Sequence, residues 1–452
     1  MMTGLVIMTR TSRLERISFA FFSIGMLCYL VLGHPLLTNL GLPYILEGGS
    51  FPAKIHAGSY FCVTAYLLLL FRDGNPLVGF IRQSRAYSLL MSYFVTTMFA
   101  LLYSTVRYGP GGSAFVIDSL IMPAVCGLVV LDYHSVAQRR LLYLIFGVVY
   151  FNAAIAIGES LMQTHLIHYT IAGLSVTEPQ FRATSLLGHP LNNGLVTAPI
   201  AIITLALRIP ALYKAFLWSL LYLGLLAFGG RTAFVLVTLI SACMIAGSTL
   251  KKLVTGQFGY IQVVGAAAAL LVATICLLGI IFGTQIGERI ILNLAWDDSA
   301  EMRRYLWTIL DYVSAEEIFF GISPAELTDL TARLDYRAKW ILHEAKIENF
   351  WLKMLLQFGA FGMFFIILGG FMSVLFHWRR TDWTARIALL LFFLIASSFN
   401  SLAEKTSAMS ILYVCLIAWK SYCDLQRSQS TETIWHENIA GGRTVGLAPV
   451  FR

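Results

Sequence analysis

Apolar residues fill the sequence in long blocks, and short polar stretches separate these blocks. A helix of about 20 apolar residues is long enough to cross a hydrocarbon core of about 30 Å. Hydropathy places twelve such blocks, with predicted bounds 17–33, 57–71, 86–106, 113–131, 140–158, 186–207, 211–228, 232–248, 261–283, 351–376, 386–402 and 406–422. The pattern predicts an all-α polytopic membrane protein with about twelve transmembrane helices.

Composition agrees with this prediction. Of the 452 residues, 58% are hydrophobic and 12% are charged, whereas soluble domains contain about 25% charged residues. This balance excludes an ordinary soluble enzyme and an intrinsically disordered chain. A net charge of +8 would suggest nucleic acid as the partner of a soluble protein, but in a membrane protein basic residues collect on cytoplasmic loops. We therefore expect a lipid bilayer and no nucleic acid as partner.

The charge distribution also predicts the topology. If the N-terminus is cytoplasmic, nineteen basic residues fall on inner loops and on the C-terminal segment, and five fall on the short outer loops. Cytoplasmic loops of membrane proteins carry this excess of lysine and arginine. The predicted order is transmembrane helices one to nine over 1–283, a large outer loop over 284–350, helices ten to twelve over 351–422 and a polar cytoplasmic tail over 423–452.

The long loop differs in composition from the rest of the chain, because 12 of the 24 acidic residues lie between 284 and 350. Unstructured loops of this length are rare, so we expect a small helical cap between helices nine and ten. Asp298 and Glu301 are spaced as the N-cap and reciprocal acceptor of one helix. Ser323-Pro324-Ala325-Glu326 has the pattern of a capping box for a second helix.

The sequence lacks the motifs of several common binding and catalytic sites. The chain has no G-x-x-x-x-G-K-[ST], no H-E-x-x-H and no C-x-x-C, so we expect no P-loop, no metal site and no cofactor. Nucleotides remain in the cytoplasm, so an activated donor used on the outer face should not be a nucleotide. A lipid-linked pyrophosphate is the obvious substitute.

Two isolated arginines interrupt the apolar pattern at predicted outer ends of helices. Arg182 precedes the sixth block, and Arg231 follows the short turn Gly229-Gly230. A charge at the membrane edge is costly and often functional, and the planar guanidinium binds phosphate oxygens in a bidentate way. The alternative is a structural ion pair with a local carboxylate such as Glu159 or Glu178.

Other polar residues are candidates for acid–base chemistry or substrate contacts. His343 and Glu348 precede the tenth block, where either could accept a proton from an incoming hydroxyl group. His343 could equally belong to the interfacial aromatic belt. His189 could simply cap a helix end, and Asn193 could simply bond to a neighbouring helix.

In order along the chain, four groups of residues resemble the O-antigen ligase and Wzy-type polymerase family of integral-membrane glycosyltransferases. They are Arg182 with Gly188, Pro190, Asn192 and Gly194; Gly230-Arg231-Thr232-Ala233; Arg303 and Arg304 with Trp307 and Phe320-Gly321; and Asn349 to Leu352 with Gly359 and Gly362. One position departs from the family pattern, because Glu348 stands where a histidine usually precedes the asparagine.

The resemblance implies a function at the periplasmic face of the bacterial inner membrane. Arg182 and Arg231 would bind the pyrophosphate of an undecaprenyl-linked oligosaccharide, without metal or nucleotide. His343 or Glu348 would act as the base, and His189, Asn193, Arg303, Arg304 and Asn349 would be further substrate contacts. The resemblance favours a polymerase that transfers the glycan to an acceptor glycan, alongside a flippase and a chain-length regulator. An O-antigen ligase with a lipid acceptor is the closest alternative.

A secondary transporter or lipid-linked glycan flippase is the alternative from another class. Twelve helices with both ends inside suit a transporter, and buried carboxylates such as Asp118 and Glu159 would serve it. Transporters of this kind are built from repeats, and no internal repeat stands out here.

Overall fold

The computed structural model describes residues 13–44, 50–110, 113–167, 170–171, 174–175, 181–256, 306–323, 326–327, 330, 349–398, 402 and 405–440. The described chain is helical apart from one antiparallel pair of two-residue strands, β1 Thr170–Ile171 and β2 Leu174–Ser175. The α-helices are α1 Arg13–Val31, α2 His34–Asn39, α3 Ala57–Leu70, α4 Pro76–Ala86, α5 Ser88–Tyr108, α6 Met122–Asp132, α7 Ser135–Met162, α8 Pro190–Leu205, α9 Ala211–Phe228, α10 Arg231–Val254, α11 Ala315–Phe320, α12 Phe350–Arg380, α13 Trp383–Ser397 and α14 Ala408–Ala440. Shorter turns of 3₁₀-helix cover Phe51–Lys54, Phe71–Asp73 and Leu306–Tyr312.

Seven of the described helices are long and apolar enough to cross a membrane: α1, α5, α7, α9, α10, α12 and the apolar part of α14. Three shorter apolar helices, α3, α8 and α13, coincide with other predicted blocks. The fourth predicted block is divided into a π-helical turn, Val116–Ile121, and α6. The block 261–283 lies outside the described residues, so the total of twelve stays a prediction.

The helices meet at two distinct ends of the bundle. We call the first the loop end: Gly33 donates its backbone N–H to the carbonyl of Leu186 (3.0 Å), and Ala183 donates to Ala227 (3.1 Å). We call the second the basic end: Asp132 contacts Arg82 there (3.0 Å). Each end joins segments that are distant in sequence, which fixes how the helices align.

Helix α14 forms the centre of the bundle. Every side chain from 408 to 419 is buried, and the helix packs against α6, α7 and α8. It does not stop where the polar tail was predicted to begin, because it continues as a helix to Ala440. The polar tail predicted from 423 is therefore helical over 423–440, and 441–452 lie outside the described residues. Its cytoplasmic location stays a prediction.

The described part of the long loop packs on the first turns of α12. Ile309 and Ile322 are buried in one apolar cluster with Leu352 and Leu356. The predicted capping box is confirmed, because Glu326 donates its backbone N–H to Ser323 Oγ (3.1 Å) and Ser323 donates to the Glu326 carboxylate (2.7 Å). Asp298 and Glu301, the predicted start of the first cap helix, lie outside the described residues.

A second capping box precedes α11, and the sequence analysis did not identify it. Ser314 Oγ accepts from Glu317 N (3.3 Å), while the Glu317 carboxylate accepts from Ser314 N (2.7 Å). Hydrogen bonding of the Glu317 carboxylate to the Ser314 hydroxyl and to the Ser314 backbone N–H lowers the pKa of Glu317. Helix α11 therefore begins with two of its backbone N–H groups satisfied locally.

Helix α12 is not regular, since Gly359 (φ 64°) breaks it nine residues after its start at Phe350. The backbone of 319–321 crosses at this break: a Cβ at Gly359 would lie 2.3 Å from the carbonyl oxygen of Phe319. Gly321 also has a positive φ (83°), and a Cβ there would lie 2.6 Å from the carbonyl oxygen of Gln357. Only glycine at both positions permits this close approach.

Candidate functional site

The two arginines singled out from the sequence lie at the same end of the bundle. Arg182 belongs to the segment 181–189, which we call the arginine loop, and Arg231 is the first residue of α10. The two segments touch directly, because Ala183 N donates to Ala227 O (3.1 Å) four residues before Arg231. Gly229 (φ 66°) closes α9 in the left-handed region, as the predicted Gly229-Gly230 turn requires. The Nε atom of Arg182 is buried.

Glu159, near the end of α7, fixes the course of the arginine loop. Its carboxylate accepts three backbone N–H groups, from Leu166 (2.7 Å), Thr184 (2.9 Å) and Ser185 (2.9 Å). Ser185 has φ 42°, an uncommon value for a non-glycine residue that surrounding contacts must maintain. Glu159, one of the two carboxylates considered as ion-pair partners of the arginines, therefore binds the backbone beside Arg182. The other, Glu178, lies outside the described residues.

Two asparagines hold the other half of the arginine loop. Asn152 accepts from Leu186 N (2.9 Å) and donates its amide to Asn193 Oδ1 (2.7 Å). Asn193 in turn donates to the carbonyls of Thr184 (2.7 Å) and His189 (3.0 Å). Asn193 is fully buried, and its oxygen and both of its N–H groups are engaged within the protein. This arrangement favours a positioning role for Asn193 over direct contact with a substrate.

The arginine loop also packs tightly on the start of α2. Gly188 has φ 72°, and a Cβ there would lie 2.1 Å from Cδ of Pro35. The ring of His189, which precedes α8, lies 6.1 Å from the ring of His34. Helix α8 begins at Pro190 and not at the predicted 186, because Leu186 and Leu187 are buried within the loop itself.

A small polar cavity of about 30 Å³ adjoins the arginine loop. Its lining includes His34, His56, Asn192 and Lys405. The Oδ1 atom of Asn192 is buried and has no hydrogen-bond partner among the described residues. A hydroxyl or ammonium group entering the cavity would satisfy this oxygen. Sequence analysis did not single out the cavity, because its residues come from four distant segments.

Lys405 supplies a positive charge to this cavity. Its ammonium group donates to the carbonyl of Tyr44 and lies 5.0 Å from the centre of the Tyr44 ring. Burial lowers the pKa of Lys405 to about 8, with Lys54 lowering it further and the Asp118 carboxylate acting in the opposite direction. The ammonium group is therefore charged at neutral pH and titrates near the upper end of the physiological range.

Asp118, on the π-helical turn, organises the wall of the cavity. It accepts from Ser59 Oγ (2.6 Å), Tyr44 Oη (3.0 Å) and His56 N (3.0 Å). The His56 ring accepts from Gly58 N at Nδ1 (3.0 Å), so its Nε2–H donates to the Leu32 carbonyl (2.9 Å). Burial lowers the pKa of His56, which keeps the ring neutral.

His165 contacts the arginine loop on both sides of Arg182, and the sequence analysis missed it. Its ring is stacked on Phe181, with centroids 4.5 Å apart, and its Nδ1 lies 3.2 Å from Thr184 Oγ1. Both neighbours belong to the arginine loop. No local sequence pattern marks this histidine, because the arginine loop that it contacts lies more than fifteen residues further along the chain.

The remaining predicted site residues divide into two groups. His343, Glu348, Arg303 and Arg304 lie outside the described residues, so their roles stay predictions. Asn349 has extended backbone (φ −140°) and is the N-cap of α12, where its side chain accepts from Leu352 N (3.0 Å). The described helix therefore begins after Asn349, at Phe350. This capping bond gives Asn349 a structural role.

Within the part of the chain that the structure describes, no group of three His, Cys, Asp or Glu side chains is placed to hold a metal ion. The loop end instead gathers two arginines, a lysine and several neutral hydrogen-bonding groups. Such a set can bind an anion and orient hydroxyl groups around it.

No protein-family model matches the chain, and no curated protein matches it with significant similarity.

Proposed function

We propose that the protein is a polysaccharide polymerase, a membrane glycosyltransferase that uses an undecaprenyl-pyrophosphate-linked oligosaccharide as donor. The observation that supports this proposal best is the hydrogen bond from Ala183 N to Ala227 O, since it brings the segments of Arg182 and Arg231 together. Two guanidinium groups at one end of a helical bundle suit a pyrophosphate, which offers several oxygens to bidentate donors.

The proposal includes the orientation of the chain. Twelve helices would cross the inner membrane of a bacterium with both termini in the cytoplasm, and the basic end would face the cytoplasm. The loop end would then face the periplasm, where lipid-linked glycans are available and nucleotides are not. The described residues 306–323, packed on the start of α12, would form part of a periplasmic cap over the arginines.

In the proposed reaction, a hydroxyl oxygen of the acceptor glycan attacks the anomeric carbon of the donor sugar. The bond between that carbon and the pyrophosphate oxygen breaks, and the pyrophosphate leaves with the lipid. Arg182 and Arg231 stabilise the charge that develops on the leaving group. The hydroxyl proton passes to a base, for which His343 and Glu348 remain the candidates.

The experiment replaces each arginine with lysine, which keeps the charge and removes the planar fork. We expect Arg182→Lys and Arg231→Lys each to lower polymer yield by at least about tenfold, because one lost charge-assisted hydrogen bond is worth about 1.5–3 kcal/mol. Arg16→Lys, at an exposed arginine of the basic end, is the matched control and should retain normal yield. Polymer is measured on gels at equal membrane abundance, and near-normal polymer from both loop-end variants contradicts the proposal.

A transporter of lipid-linked glycans is the second candidate, favoured by Asp118, a buried carboxylate on a π-helical turn that interacts electrostatically with Lys405. Irregular helices with buried charge are typical of transport sites. A purified transporter produces no product in detergent, where there are no compartments. Polymer formed from lipid-linked repeats in detergent therefore separates the two candidates, and the choice of acceptor glycan or acceptor lipid separates polymerase from ligase.

A further inference from the structure

A second pocket, of about 130 Å³, lies at the basic end, far from the arginine loop. It is formed by the chain after α8, the start of α13 and the polar half of α14. Helix α8 joins the two ends, and its sixteen residues rise by about 24 Å at about 1.5 Å per residue. The pocket is therefore separate from the site proposed above, and the inference drawn from it does not depend on that function.

Two arginines, Arg208 and Arg427, line this pocket. The backbone N–H of Arg208 donates to Tyr422 Oη (3.2 Å), and its guanidinium donates to the carbonyl of Gln426 (3.3 Å). These bonds hold Arg208 against α14, next to Arg427 on the same helix. Both arginine side chains are exposed to solvent, so a ligand can reach them.

An aromatic wall and one carboxylate complete the pocket. The rings of Trp419 and Tyr422 are stacked, with centroids 5.1 Å apart and planes 23° from parallel. Asp382 is the single acidic residue in the lining, and its Oδ1 accepts from Trp419 Nε1 (2.9 Å) and Ala385 N (3.2 Å). The lining therefore holds two guanidinium groups and one carboxylate that is already hydrogen-bonded, which leaves it positively charged.

We propose that this pocket binds a phosphate group, and that its source is the headgroup of an anionic phospholipid. Two planar guanidinium forks suit phosphate oxygens. Tryptophan and tyrosine collect at the level of the lipid headgroups, and basic pockets between membrane helices bind anionic headgroups. A free phosphate ion shares the recognised chemistry, so the test includes both sources.

The test measures binding by native mass spectrometry of the full chain in detergent, with phosphatidylglycerol, phosphatidylcholine and inorganic phosphate added in separate experiments. We expect Arg208→Gln/Arg427→Gln to weaken phosphatidylglycerol binding by about tenfold or more, because each basic residue contributes about 1 kcal/mol to anionic lipid binding. The control Arg85→Gln/Arg140→Gln removes two exposed arginines elsewhere and should change binding by less than about twofold.

The outcomes separate specific from general binding. Loss of phosphatidylglycerol binding in the pocket variant alone supports a lipid headgroup. Loss of inorganic phosphate binding in that variant, without any preference for phosphatidylglycerol, supports the phosphate site and assigns its source to the free ion. Equal loss in the pocket and control variants, or no loss in either, overturns the proposal. If the double variant does not fold, Arg427→Gln alone provides the same comparison.

Discussion

A carboxylate at each end of the bundle, Glu159 at the loop end and Asp132 at the basic end, gathers three partners, but the partners differ in kind. At the loop end, Glu159 accepts three backbone N–H groups of the chain around the arginine loop. At the basic end, Asp132 contacts three side chains, Arg72 (3.7 Å), Arg82 (3.0 Å) and Gln83 (3.0 Å). The side chains of both carboxylates are almost fully buried.

The difference matters because a backbone N–H group cannot reorient when its carboxylate partner is removed. Long side chains that lose a carboxylate partner can rotate towards water, whereas a buried N–H remains where the chain path puts it. The loop end is therefore built to hold a backbone in one shape, with Ser185 in an uncommon conformation. The basic end is built to connect neighbouring helices through side chains that can adapt.

The largest expected effect tests whether the loop end depends on one backbone shape. Gly188→Ala should lower the free energy of unfolding by about 2–4 kcal/mol, because it adds a left-handed non-glycine residue and a clash with Pro35. Gly147→Ala in α7 is the control, since a Cβ there meets nothing within 4 Å. Thermal unfolding in detergent measures both variants. Equal stability of the two would show that the arginine loop tolerates other shapes.

The second effect compares the two carboxylates directly. Glu159→Gln should lower the free energy of unfolding by about 2–3 kcal/mol, because the new amide N–H₂ group would face buried backbone donors. Asp132→Asn should lower the free energy of unfolding by only about 1 kcal/mol, because the arginine partners of Asp132 can reach water. Chemical unfolding followed by tryptophan fluorescence gives both values. If Asp132→Asn proves the more costly change, the distinction between backbone and side-chain donors is wrong.

The smallest effect concerns the charge in the loop-end cavity. The folded-state pKa of Lys405 is about 8, below its value in an unfolded chain. The unfolded state then binds more protons between pH 8 and about 10.4, so stability contributed by this residue should rise with pH across that window. The rise should be small because the side chain is partly exposed.

The pH test compares the natural chain with Lys405→Met, which should lack this contribution. Asp118, Lys54, Tyr44 and His56 face or surround Lys405, and they are unchanged in both proteins. The difference between the two thermal midpoints is followed from pH 7 to pH 10. A difference that stays constant over this range would assign another group to the titration.

Local features of the fold could be predicted from the sequence. The Gly229-Gly230 turn, the Ser323 capping box and the start of α12 after Asn349 depend on residues within four positions of one another. Hydropathy located the described apolar helices, but it placed the start of α8 four residues early. It could not distinguish leucines buried in a loop from leucines in a helix.

The site depends on contacts that no local pattern contains. Asp118 meets His56 across 62 positions, and Lys405 meets Tyr44 across 361 positions. The contact between the segments of Arg182 and Arg231 depends on the shape of the arginine loop, which Glu159, Asn152 and Asn193 hold from a distance in sequence. The position of isolated charged residues in an apolar sequence thus indicated Arg182 and Arg231 as candidate site residues. Only the fold showed which residues surround their segments.

The crossing at Gly359 joins the segment 319–322 to a long apolar helix. Carbonyls just before a helix break lack partners along their own chain, which is costly away from water. The carbonyl of Leu356 instead accepts from Ile322 N (2.7 Å), so the loop supplies a bond that the helix has given up. The loop and the helix thus satisfy each other's backbone hydrogen-bonding groups. Residues 319–322 and the start of α12 therefore form one cooperative unit that opens and closes together.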